Sequence, residues 1–159
     1  RAAALADEII RSLPEDKHSW LHASALQQLG ELALADADLE RASELLRESA
    51  TLQVDAAPTD ALRLQTETDL ATLALARGHV DDAHARALEI IVRGEASHAE
   101  QPWLVAPARF LLARVEASAG ERDAALALAE RADADLVRSG HIRDYLRAEI
   151  QAWRAGAAQ

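Results

Sequence analysis

Apolar positions along the chain recur at helical spacing. Leu39, Ala42, Leu45, Leu46 and Leu52 lie largely on one stripe, and Val80, Ala83, Ala87, Ile90 and Ile91 repeat that arrangement further on. The positions between them are charged and face water. These stripes predict helices over about 38–53, 80–94 and 121–138. Each is preceded by another predicted helix, over about 16–36, 59–77 and 101–119. Those first helices begin near a proline and end at an alanine or glycine. Proline is tolerated in a first helical turn, and glycine suits the left-handed residue that follows a helix end.

The same segments align as repeats. When Ala37, Gly78 and Gly120 are superposed, Leu39, Val80 and Arg122 coincide, followed by Ala42, Ala83 and Ala125. Those last alanines are spaced by 41 and 42 residues, and Pro14, Pro58 and Pro102 are each 44 apart. Two unrelated residue classes therefore report nearly one period. The units run over about 15–57, 58–100 and 101–140, with a half-unit over 1–14 and a terminal helix over 141–155. A helical pair of this kind cannot bury its apolar face alone, so it stacks on its neighbours. The small residues Ala42, Ala83 and Ala125 are expected where helices cross most closely.

Composition agrees with an all-α chain. Of the 159 residues half are apolar, only 3% are aromatic, and about a quarter are alanine, the strongest helix former. The formal net charge is -10, with basic residues scattered. Nucleic acid is held through phosphate neutralisation by Lys and Arg, so this balance disfavours it, and an anionic membrane surface likewise. There is no cysteine, which excludes disulfides and thiolate metal sites. No apolar run approaches the ~20 residues needed to span a bilayer. The absence of methionine suggests a piece of a longer protein, and the single lysine, Lys17, suggests a bacterial source with a GC-rich genome. A cytoplasmic location is the default expectation.

The aligned residues resemble the tetratricopeptide repeat (TPR). Its Leu-Gly or Leu-Ala pair is matched by Leu29-Gly30, Leu70-Ala71 and Leu112-Ala113. Its turn, Gly-Asp-Tyr-x-x-Ala in outline, is matched by the segments that begin at Ala37, Gly78 and Gly120 and close on Ala42, Ala83 and Ala125. The period of about 42 is similar to the longer repeats of kinesin light chains and their bacterial relatives, rather than the usual 34. The chain departs from the pattern where consensus aromatics give way to Leu26, Glu67 and Arg109, and to Ala33, Ala74 and Glu116. The resemblance implies a right-handed α–α superhelix of antiparallel hairpins, a solenoid whose first helices line a concave, partner-binding face. On that face it implies that Gln27, Gln28, Glu31, Thr68, Asp69, Thr72, Phe110 and Arg114 meet a peptide or helix of a partner protein. The expected groove grades from amide-rich to apolar. The basic residues that clamp a terminal carboxylate in some relatives are missing from most of these positions.

Other constellations point less far. His79, Asp81 and Asp82 fall at the start of a second helix, where acidic residues complement the helix dipole and unpaired N–H groups. His18 and His22 stand one helical turn apart, as two zinc ligands would, but lack a third ligand and the glutamate of HExxH. Trp20 and Trp103 are expected to seal junctions between repeats; for Trp153 the readings are a cap on the stack, packing on a further helix of a longer chain, or an anchor for a partner. No phosphate loop or nucleophile motif is present, so neither catalysis nor a cofactor or metal is expected. The expectation is a scaffold or regulatory module of a larger bacterial protein. Self-association, possible as a homodimer, and sensing of a small ligand or peptide for a transcriptional activator are the alternatives.

Overall fold

The computed structural model describes Glu8, Ser12 and residues 20–55, 60–138 and 143–157. The rest of the half-unit, Pro14 included, and His18, Pro58 and His141 fall outside those residues. Seven α-helices and no strand occur among them: α1 (Trp20–Ala35), α2 (Leu39–Asp55), α3 (Asp60–Ala76), α4 (Val80–Ser97), α5 (Ala106–Ser118), α6 (Arg122–Arg138) and α7 (Asp144–Ala157). The chain divides into two compact units, Arg1–Gly78 and His79–Gln159. The division falls in the turn between α3 and α4.

The aligned turns share one backbone geometry. Ala37, Gly78 and Gly120 have φ of 58°, 82° and 88°, the left-handed conformation that lets a helix end and the chain reverse. After α1, the Asp38 N–H reaches the Ala33 carbonyl at 2.9 Å and the Ala37 N–H reaches Leu34 at 3.1 Å. After α5, Glu121 reaches Glu116 at 2.9 Å and Gly120 reaches Ala117 at 3.1 Å in the same pattern. Carbonyls that would otherwise lack donors are thereby satisfied. Each following helix opens alike, with the N–H groups of Ala42, Ala83 and Ala125 bonded to the carbonyls of Asp38, His79 and Glu121. Those three alanines are buried, as the alignment predicts.

In the first unit, α1 packs along α2, and α3 packs on both. Leu26, Leu29, Ala33, Ala42, Leu45 and Leu73 form its core, with Leu34, Leu39 and Leu52 against the margin. The two helices come close at Gly30, where a Cβ would stand 2.5 Å from Leu46 Cδ2. Beside this core runs a buried polar chain. The Ser49 hydroxyl donates to the Ala23 carbonyl at 2.7 Å, and the Gln53 amide donates to Ser49 at 3.0 Å and to Thr66 at 2.7 Å. Thr66 in turn donates to the Leu62 carbonyl at 3.0 Å. Every member is satisfied, so the network fixes the three helices instead of straining them.

In the second unit, α5 packs on α4 and on α6, and α7 packs on α6. Its core gathers Ala106, Phe110, Ala113, Ala129, Ala132, Leu136, Leu146 and Ile150, with Trp103, Leu128 and Trp153 against it. The continuous first helix expected over 101–119 is instead two pieces. A 3-10 turn covers Pro102–Leu104, and α5 starts afresh at Ala106. Pro107 is the cause: with no N–H and a ring that clashes with the preceding turn, it fits only at the opening of a helix.

Candidate partner-binding face

Six of the eight residues expected to meet a partner stand on α1 and α3 of the first unit. Gln27 is only 3% exposed. Its amide nitrogen donates to Asp69 Oδ2 at 2.6 Å, which ties α1 to α3. Thr68 is buried as well, and its hydroxyl donates to the Leu64 carbonyl at 2.7 Å. These two residues therefore depart from the expectation. They hold the face together from beneath, because an amide or hydroxyl on a buried side of a helix must find its partner inside the protein. The surface that remains consists of exposed Gln28 and half-buried Glu31, Asp69 and Thr72. The Thr72 hydroxyl donates to the Thr68 carbonyl at 2.9 Å and keeps its lone pairs as acceptors. This cluster offers two carboxylates, an amide and a hydroxyl.

The apolar end of the expected groove is corrected. Phe110 is buried in the core of the second unit, 5.7 Å from the ring of Trp153 at an interplanar angle of 83°. An edge-to-face pair of this kind favours core packing over recognition. Arg114, also in the second unit, is half-buried. Trp153 and Trp103 both pack against that core, with the Arg143 guanidinium 5.8 Å from the Trp103 ring. Trp20 does not: it is 60% exposed.

At the start of α4, Asp82 and His84 have separate partners. His79 precedes the helix and makes no side-chain cap, and Asp82 accepts a bond from Arg86 Nε at 2.8 Å. His84 Nε2 lies 3.1 Å from Glu116 Oε1 on α5. His22 is buried on α1, and neither ring nitrogen has a hydrogen-bond partner. Among the described residues, no three His, Cys, Asp or Glu side chains are gathered as a metal ion would require. Nor is any helix among them long and apolar enough to cross a membrane.

The strongest electrostatic feature of the second unit went unread in the sequence. Arg109 on α5, 3% exposed, extends one arm of its guanidinium to Asp135 of α6 and the other to Glu95 of α4. Asp135, itself buried, receives Arg138 on its second oxygen, and Arg131 reaches Glu95 at 2.9 Å. Burying an isolated charge is costly, whereas a guanidinium forked between two carboxylates is compensated. Arg109 stands where the repeat pattern calls for an apolar residue. Asp135, wedged against the stripe of Ala125, Ala129, Ala132 and Leu136, was the available signal for its partner.

No protein-family profile, curated protein or solved structure matches the chain.

Proposed function

We propose that the chain is a short right-handed solenoid of TPR-like hairpins that binds a segment of another protein. It would act without catalysis, in the cytoplasm, as the regulatory or scaffold part of a larger bacterial protein. Support for the architecture comes from the three turns with one left-handed geometry at the aligned positions. The observation that carries the binding reading is the Gln27–Asp69 hydrogen bond, which sets the polar residues of two first helices side by side. Gln28 and Thr72 are suited to the backbone N–H and C=O groups of an extended peptide, since an amide both donates and accepts. The net charge of -10 favours a basic partner segment.

The test is a peptide array of basic, neutral and acidic sequences, followed by isothermal titration of the hits. Basic peptides are expected to bind, and joint replacement Gln28→Ala and Thr72→Val to weaken them about tenfold with the melting temperature held. Binding that ignores those two replacements, or an array without hits, overturns the proposal.

A further inference from the structure

Aligned on Ala42, Ala83 and Ala125, the three second helices can be compared on the side that each turns to water. Two, five and nine residues past that alanine, α2 carries Glu44, Arg47 and Thr51, and α6 carries Ala127, Glu130 and Ala134, all exposed. Polar groups stand in both rows, as a solvated helix face requires. Helix α4 departs from this. Its row is Ala85, Leu88 and Val92, continued one turn on by Ala96, and it is apolar throughout. All four residues are exposed, Leu88 by 43% and Val92 by 67%. The fold has no need of them, because Ala83, Ala87, Ile90 and Gly94 supply the buried side of the helix. Nor does the row lie at an end of the chain: second helices both precede and follow α4.

We infer that this row receives a helix of a partner protein, amphipathic and basic along its flanks. Its spacing of three, four and four residues is that of a seam between two helices. From Ala85 to Ala96 the seam runs roughly 16 Å, three helical turns. A helix laid along it presents apolar side chains at the same spacing, whereas an extended segment, whose side chains alternate in direction, lacks that register. The margin of the row is acidic. By helical spacing Asp81 stands in line with it at its opening, and Asp82 and Glu89 run along one side, all three exposed. Arg86 answers Asp82 at 2.8 Å and Arg93 reaches Glu89 at 3.9 Å, pairs open to solvent and therefore weak. Lysines or arginines beside a partner's apolar stripe meet these carboxylates. A second copy of the chain brings the same acidic margin and a net charge of -10, so it is the disfavoured occupant.

The probe is a designed three-heptad helix with leucine at its a and d positions and lysine at e and g, whose like charges keep it from pairing with itself. Fluorescence anisotropy of the labelled peptide reads its binding to the 159-residue chain. The lysine peptide is expected to bind, and a version with glutamate at e and g to bind at least about tenfold more weakly. Val92→Glu, at an exposed position, should weaken the lysine peptide about tenfold with the melting temperature held. That substitution adds a negative charge, so a merely ionic attraction would rise instead. Leu88→Ala should weaken binding several-fold, and Gln28→Ala with Thr72→Val should leave it unchanged. A lysine peptide that fails to bind, equal binding of the glutamate version, affinity untouched or raised by Val92→Glu, or loss on the Gln28 and Thr72 replacements each overturns the inference. The peptide face of α1 and α3 stands or falls separately, on the array and on Gln28 and Thr72.

Discussion

Ala37 holds a conformation that its methyl group disfavours. Its two counterparts are glycines, and a left-handed alanine costs about 1–2 kcal/mol. Ala37→Gly removes that strain and gives back part of it as added freedom in the unfolded chain. A net gain of about 0.5–1 kcal/mol is expected, read as a shift in the urea midpoint. Gly30 makes the opposite case. A Cβ there would lie 2.5 Å from Leu46 Cδ2 and 2.6 Å from Cγ, too near the root of the side chain for a simple rotation. Gly30→Ala should cost about 1–3 kcal/mol by the same assay. Arg109→Met leaves Asp135 buried beside one fewer cation and should cost about 3–5 kcal/mol, most of it recovered when Asp135→Leu is added. A double-mutant cycle measures that recovery. The turn residues were legible because a left-handed residue narrows the choice of amino acid so sharply. The Arg109 fork was not, because sequence pattern marks a charge on an apolar stripe as misplaced without naming the carboxylates that answer it.

Second helices read more cleanly than first helices. One face of α4 is water-exposed, and Ala83, Ala87 and Ile90 mark the other. First helices are enclosed on more than one side, so polar side chains such as Gln27 and Thr68 turn inward and pass for surface positions. Helix α5 adds a local rule, since Pro107 reset its start against the run of apolar residues before it. At the opening of α4, His79 leaves the helix without a side-chain cap, whereas Asp38 accepts the Arg41 N–H at 3.2 Å in the equivalent place. His79→Asp is therefore expected to stabilise the protein by about 1 kcal/mol. Thermal unfolding compared with the parent chain will show it, and no gain would mean that the Asp38 bond contributes nothing either.

For the whole molecule, the helical class and the period were set by alanine content, recurrent turns and stripe spacing. The candidate face was legible in part. Gln28, Glu31, Asp69 and Thr72 stand at the surface, but burial of Phe110 depended on Trp153, which arrives from a helix 43 residues away in sequence. Acidity should show in binding: affinity for a basic peptide is expected to fall several-fold between low and high ionic strength. An affinity insensitive to salt would assign recognition to backbone contacts alone. The fork at Arg109 has a mechanical consequence. Because one guanidinium clasps carboxylates on α4 and α6 at once, a pull on residues 79–138 cannot peel the outer helix without stranding a buried ion. Stretched in an optical trap, this stretch should rupture in a single rip, and removing the clasp by the joint replacements Arg109→Met and Asp135→Leu should let it unravel helix by helix.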